Sequence, residues 1–149
     1  MTKTDAFENG ILRLIFQNDA SQAGIAAIGS GLQASSTAGS FYIGLSTGTL
    51  TDSSDQSTTQ AAYGSYARVA VARSSGSWSI SGSTISNVNA ITFPQCTSGS
   101  ESETYFGIGT TSGTGAGNLL YWGALTSALA VSSGITPSFV AGALTVTED

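Results

Sequence analysis

The chain has 149 residues, which is enough for one domain with a single hydrophobic core. Charged residues make up 9% of it and the net charge is −5 with four cations, whereas about 25% of residues are charged in ordinary soluble domains. Nucleic acid binding needs a basic face that these cations cannot supply, and no apolar run approaches the roughly 18 residues of a membrane span. We therefore expect neither nucleic acid nor a membrane among its partners.

Cys96 is the one cysteine and the chain has no histidine. A disulfide framework is excluded by this count, and without histidine to activate it the thiol is predicted to be inert and at least half-buried. The first residues, Met1–Glu8, include acids where a signal peptide would be apolar. These features predict a protein that is made and folded in a reducing cytoplasm.

Residues Thr4 to Asn18 form the clearest predicted helix. Asp5 and Glu8 resemble a capping box, and Thr4 is another possible cap. An apolar stripe at helical spacing consists of Phe7, Ile11, Leu14 and Ile15, and it is widened by Leu12 and Phe16. The stripe either packs across an open end of a sandwich or belongs to an arm that docks on a partner subunit.

The next segment, residues 19–40, is rich in Ala, Gly and Ser, with Ile25 and Ile28 as its main apolar points. Its periodicity is compatible with a short helical turn or with an extended linker on a neighbour. Residues 1–40 are therefore predicted to be a helix and arm, and residues 41–149 a β-domain.

The β-domain begins with an aromatic strand at 41–46 and a polar loop at 47–62. Asp52 and Asp55 in this loop lack the glycine and glutamate of a calcium loop, so a solvated loop is favoured. The alternation around Val69 and Val71 predicts a half-buried strand. Arg68 is then expected to point away from the core or to lie along it with its stem.

Further strands are predicted at 77–81 and 84–93, followed by a polar loop, 97–104, that carries Glu101 and Glu103. The last third of the chain holds four short apolar runs separated by Gly, Ser or Pro. The glycine-rich stretch 107–117 joins two of them and is predicted to be a hairpin connection, since it lacks the lysine of a phosphate loop. The count is about eight antiparallel strands, which is typical of a β-sandwich.

The residue types needed for catalysis are scarce. Without histidine, His-based triads, His metal sites and the commonest general acid–base residue are excluded, and the acids lie in predicted polar loops. We therefore predict no enzyme activity, no metal and no cofactor. Three aromatic residues could form a platform for sugars, although a core position for some of them is favoured: Trp78, Tyr121 and Trp122.

Several strand motifs in this order suggest a family: Phe41-Tyr-Ile-Gly-Leu-Ser-Thr, Tyr66-Ala-Arg-Val-Ala-Val, Asn89-Ala-Ile-Thr-Phe-Pro, Tyr105-Phe-Gly-Ile, Gly117-Asn-Leu-Leu-Tyr-Trp-Gly-Ala-Leu and Ala141-Gly-Ala-Leu-Thr-Val-Thr. Together with the N-terminal helix, they resemble small tailed-bacteriophage structural proteins that are often labelled tail fibre proteins. Members of this family resemble capsid cement or decoration proteins. The resemblance implies a jelly-roll-like antiparallel β-sandwich.

The resemblance also implies a virion protein that is made in the bacterial host cytoplasm. The main expectation is a capsid cement protein, a homo-trimer that binds the outer face of the head and bridges major capsid protein subunits. The interface residues expected for it are Phe7, Ile11, Ile15, Ile25 and Ile28, with the segment Gly24–Gly39 along a subunit boundary. The alternative is a tail or fibre component that binds a host-surface glycan or another tail protein. Its candidate residues are Trp78, Tyr121, Trp122, Asp52 and Asp55.

Overall fold

A computed structural model describes residues 3–22 and 34–148. Within them the chain forms one helix and nine strands: α1 (Asp5–Gln17), β1 (Ser40–Ser46), β2 (Val69–Ala72), β3 (Trp78–Ser81), β4 (Thr84–Asn87), β5 (Ile91–Thr92), β6 (Ser100–Gly109), β7 (Leu119–Ser132), β8 (Ser138–Phe139) and β9 (Thr145–Thr147). The predicted class, a mainly β, sandwich-like antiparallel fold with an N-terminal helix, is confirmed. In this part of the chain, no helix combines the length and apolar character that crossing a bilayer would require.

Helix α1 has nearly the predicted bounds. Thr4 is the N-cap residue, although its side chain makes no capping hydrogen bond, and Asp5 and Glu8 lie in the first turn. The helix ends at Gln17, and the residue after it, Asn18, adopts a left-handed conformation with φ 55°, as asparagine often does at the end of a helix. Arg73 binds the last carbonyls, donating from Nε to Ile15 and from Nη2 to Leu14. These bonds satisfy acceptors that a helix end otherwise leaves open.

The chain divides into two compact units, each made of segments that are distant in sequence. The first comprises Met1–Gly39, Ala72–Ala90 and Phe139–Asp149; the second comprises Ser40–Val71 and Ile91–Ser138. The division predicted from sequence, residues 1–40 and 41–149, stays a prediction, because compactness alone does not establish which segment folds independently.

In the first unit, α1 packs against β3 and β4 of a three-stranded sheet with the order β3-β4-β9. Leu12, Phe16 and Trp78 have no solvent-exposed surface. The rings of Phe16 and Trp78 meet edge to face with centroids 4.9 Å apart, a favoured aromatic geometry. Asn87, also buried, accepts a hydrogen bond from the Leu144 N–H and donates to the carbonyls of Asn89 and Val140. Its side chain thereby holds the turn that precedes β9.

The second unit contains a four-stranded sheet with the order β2-β1-β6-β7. Its central strands β1 and β6 pair antiparallel from Tyr42 opposite Gly109 to Ser46 opposite Tyr105. Ile43 and Ile108 stand opposite each other on this ladder and are fully buried. Strands β5 and β8 form a separate two-stranded sheet.

Two predicted segments differ from the structure. The segment 84–93, predicted as one long strand or as two with a bulge, is divided into β4 and β5, which belong to different sheets. The polar loop expected at 97–104 is wrong from Ser100 onward, because that part of it belongs to β6. Its polar residues concealed the strand because one of them, Glu103, is buried although it is a carboxylic acid.

Candidate interaction surface

Strand β7 forms one edge of the four-stranded sheet. It pairs with β6 on one side, and no described strand lies on the other. The pairing is regular from Tyr121 to Ala124, and register shifts flank it, one before Tyr121 and one between Ala124 and Leu129. Edge strands with unpaired backbone groups are templates for pairing with another chain. The regularly paired part of β7 at this edge is Tyr121–Ala124.

Two large apolar side chains are exposed on this part of β7. Leu120 is 44% exposed and Trp122 is 39% exposed. The Trp122 ring has a neighbour in Tyr105 of β6, with centroids 6.1 Å apart and a tilt of 43°. An exposed tryptophan that a second ring supports is a residue of the kind that dominates binding energies at protein interfaces.

Register shifts are the features that protect this edge. The sequence of β7, Leu119–Ser132, contains no charged residue and no proline. Natural edge strands are commonly blunted by lysine, proline or bulges, and here the two register shifts interrupt the regular pairing. We define the edge patch as the exposed side chains of Leu120 and Trp122.

The hairpin connection between β6 and β7 is held by two buried polar side chains. Gln56 accepts hydrogen bonds at Oε1 from the N–H groups of Thr110 and Thr111, each at 2.9 Å. Arg68 donates from Nη1 to the Thr111 carbonyl and from Nη2 to the carbonyls of Gly115 and Gln56. Of the two orientations predicted for Arg68, the one that points away from the core is wrong, because the residue is buried. These bonds fix the turn from which β7 begins.

Glycine is required where Gln56 meets the connection. A Cβ atom at Gly109 or Gly117 would overlap the Gln56 side chain. The backbone N–H of Gln56 also donates to the Gly117 carbonyl at 3.1 Å. The prediction that this glycine-rich stretch is a hairpin connection is confirmed.

Two acids of β6 lie on one face of the sheet and have different surroundings. Glu101 accepts hydrogen bonds from the N–H groups of Ala62 and Tyr63, at 2.9 and 2.8 Å. Glu103 is completely buried, and neither of its carboxyl oxygens has a hydrogen-bond partner among the described residues. Burial, and next the adjacent Glu101 carboxyl, raise the pKa of Glu103 to about 8.

These acids do not form an accessible catalytic pair. A raised pKa is common in active sites, but Glu103 has no surface that a substrate could reach. A cavity lined by Gln56, Arg68 and Leu119, among others, encloses about 10 Å³, which is room for one water molecule at most. Residues 3–22 and 34–148 contain no cluster of three or more metal-binding side chains.

The structure describes three of the five residues predicted to form an interface, and all three lie on α1. Phe7, Ile11 and Ile15 are half-buried, whereas Leu12 and Phe16 take the fully buried positions. Ile25 and Ile28, and most of the segment Gly24–Gly39, lie outside the described residues. The interface role of these residues stays a prediction.

The residues predicted for sugar binding differ in exposure. Trp78 is fully buried, so its predicted role in an exposed aromatic platform is wrong. Trp122 is exposed and Tyr121 is partly buried. Asp52 is exposed, and Asp55 accepts hydrogen bonds from the N–H and Oγ of Ser57. These bonds lower the pKa of Asp55 and are typical of a loop that an aspartate organises locally.

Sequence reasoning did not select Gln56, Glu103 or Leu120. The absence of charge and proline in β7 did not mark the edge patch, because the whole of 104–136 shares it. Gln56 and Glu103 gave no local signal either. Their burial depends on which strands and loops meet in the folded chain.

Comparison with known proteins gives one family. The sequence model of the family described as "Podophage GP4 fiber I protein gp80" matches residues 4–147. No match was found among curated proteins. The family supports a phage structural protein and thus a component of the virion, which confirms the resemblance at that level. Because the match extends over nearly the whole chain, the protein belongs to the family of the podophage GP4 fiber I protein gp80.

Proposed function

We propose that the protein is a non-enzymatic structural subunit of a phage tail fibre. The observation that carries the proposal is the family match over residues 4–147, since the family is named for a fibre protein. This favours the tail or fibre alternative over the capsid cement role that the resemblance first suggested. A cement role, a position on the capsid surface and binding to major capsid protein remain predictions with less support.

The described residues support a role in protein contacts. Glu103 has no exposed surface, the cavity beside Gln56 and Arg68 encloses about 10 Å³, and charged residues make up 9% of the chain. An exposed, uncharged strand edge with Trp122 and Leu120 suits binding to another protein chain. Within a fibre, many such modest contacts act together.

The location of the chain in the virion tests this proposal. Because the chain has no histidine, a hexahistidine tag would be a unique label. Gly113 lies in the hairpin connection with open space around it, so an insertion there is expected to be tolerated. Electron microscopy of tagged phage with nickel–gold particles should show labelled tail fibres, with untagged phage as the control. Gold on the head surface would refute the fibre role and restore the cement interpretation.

A further inference from the structure

The cover segment, which we define as residues 62–66, is bound to β6 beside the buried acid Glu103. We propose that this segment is a pH-sensitive cover: it is closed while Glu103 carries its proton, and ionisation of Glu103 releases it. The inference goes beyond the fibre role and does not depend on it. Release would uncover Tyr63, which is buried, and tyrosine is a residue type that protein interfaces favour.

The cover segment is attached to β6 through an acid. Glu101, two residues before Glu103, accepts hydrogen bonds at Oε1 from the N–H groups of Ala62 and Tyr63, at 2.9 and 2.8 Å. Hydrogen bonds to a carboxylate are stronger than those between neutral groups. The acid that holds the cover segment is thus the acid that stands beside Glu103.

The middle of the cover segment is held by backbone bonds and contains a strained residue. Gly64 donates to the Ser98 carbonyl at 2.8 Å and accepts from the N–H of Thr97 at 3.0 Å. Ser65 adopts φ 74°, a left-handed conformation that costs free energy in a residue with a side chain. Residues 62–66 belong to no strand, whereas β6 is paired with β7 at Glu103. Releasing the cover segment is therefore a smaller change than opening these strands.

The surroundings of Glu103 do not stabilise a negative charge. No part of the residue is exposed, and neither carboxyl oxygen has a hydrogen-bond partner among the described residues. Its neighbour across the ladder, Leu129 of β7, is apolar. The titratable groups around it are all acids, on β6, on the cover segment and, adjoining Tyr63, on the segment 93–98: Glu101, Tyr63, Tyr66 and Cys96. An ionised Glu103 would therefore be an unpaired buried charge, which strongly destabilises a folded state.

The cation nearby is engaged elsewhere. Arg68 acts on Tyr66, but its guanidinium donates to three carbonyls, those of Gln56, Thr111 and Gly115. Among the described residues it forms no ion pair. On ionisation, Glu103 would meet the Glu101 carboxylate as a like charge. Displacing the cover segment removes the segment that Glu101 holds and lets water reach both acids.

Release of the cover segment is coupled to the loss of one proton. Burial, and next the Glu101 carboxyl, raise the pKa of Glu103 to about 8 in the closed state, and exposure returns it to the usual 4.5. Between these values the closed state binds one more proton than the released state. The equilibrium constant for release therefore rises about tenfold with each pH unit in this window and is constant above it. Tyr63 and Tyr66 keep their protons throughout, because burial raises the pKa of both.

The test is amide hydrogen exchange of the full chain from pH 4.5 to above pH 8, with each rate divided by the intrinsic rate at that pH. Protection of the amides of Ala62, Tyr63 and Gly64 should fall by about tenfold per pH unit and level off above about pH 8. Dilute urea should not accelerate their exchange, because local release exposes little surface. Amides in the ladder of β1 and β6 should be better protected, and urea should accelerate their exchange.

Two substitutions remove the titrating group. Glu103→Gln and Glu103→Leu should each make protection of the cover segment independent of pH. The leucine variant also introduces no buried polar group and has a similar volume, so it is expected to fold even if the amide variant does not. Asp52→Asn is the matched control, since it replaces an exposed carboxylate, and it should keep the wild-type slope.

Three results would overturn the proposal: wild-type protection at 62–64 that does not change with pH, the wild-type slope in a Glu103 variant, or acceleration by urea equal to that of the ladder. The wild-type measurements alone suffice for the first and third. Gold labelling of the virion tests the fibre role separately. A chain labelled on the head could keep its pH-sensitive cover, and a fibre subunit without pH-dependent exchange would keep its function.

Discussion

The buried acid of β6 should make the stability of the protein depend on pH in an unusual direction. Glu103 has no exposed surface and no hydrogen-bond partner among the described residues. Its pKa rises from the usual 4.5 to about 8 in the folded chain. Between these two values the folded protein keeps the proton while the unfolded chain has lost it. The contribution of Glu103 to the free energy of unfolding is therefore fully present below pH 4.5 and is lost as the pH rises to about 8.

The size of the effect follows from the interval between the two pKa values. Each pKa unit corresponds to about 1.4 kcal/mol, so the difference between 4.5 and about 8 sets an upper limit of roughly 5 kcal/mol. Relaxation of the neighbouring residues lowers such penalties in real proteins, and we expect the free energy of unfolding to fall by about 3 kcal/mol across this range.

Few other groups titrate in this interval. The chain contains no histidine. Hydrogen bonds lower the pKa values of Asp19 and Asp55 below 3.8. Burial raises the pKa of Tyr66 to about 12, and that of Tyr63 also lies well above its usual value. A fall in stability between pH 4.5 and 8 can therefore be assigned to Glu103 by a single substitution.

The assay is urea unfolding of the wild type and of Glu103→Gln at intervals from pH 4.5 to 8. The variant should show a nearly flat profile, because its amide does not titrate. The comparison concerns the slope, since a buried amide brings its own unsatisfied groups and shifts the absolute stability. Asp52→Asn, which replaces an exposed loop carboxylate, should keep the wild-type slope. Parallel profiles for the wild type and Glu103→Gln would refute the reasoning.

Three further substitutions test the packing by equilibrium unfolding. Phe16→Ala removes a fully buried ring and should cost about 3–5 kcal/mol, whereas the half-buried Phe7→Ala should cost less. Asn87→Ala leaves the backbone groups that the Asn87 side chain binds without hydrogen-bond partners. It should lower the free energy of unfolding by about 2–4 kcal/mol. Gly109→Ala should displace Gln56, which holds the hairpin connection. A loss of about 1.4 kcal/mol in local stability would accelerate amide exchange in the connection by about tenfold. Gly113→Ala, with open space around it, should change neither value; equal effects of the two glycine substitutions would contradict this account of the connection.

The elements that could be predicted were those whose signal is local. Helix α1 was placed within one residue at each end because its apolar period and its polar flanks lie in the same short segment. The helix face was harder to predict. The predicted stripe included Leu12 and Phe16 only as the residues that widen it, but these two take the fully buried positions. Phe7 and Ile15 fit the same helical period, and only the position of β3 and β4 decides which residues are covered.

The features that matter for function depend on pairing between distant segments, which local patterns do not record. Whether Glu103 lies in an exposed loop or in a buried part of a strand depends on where β6 begins. Whether β7 is central or at an edge depends on the order of all four strands. The neutral sequence of β7 suits either position, because a buried central strand and a pairing edge both exclude charge. The exposure of Trp122 and Leu120 decides between them.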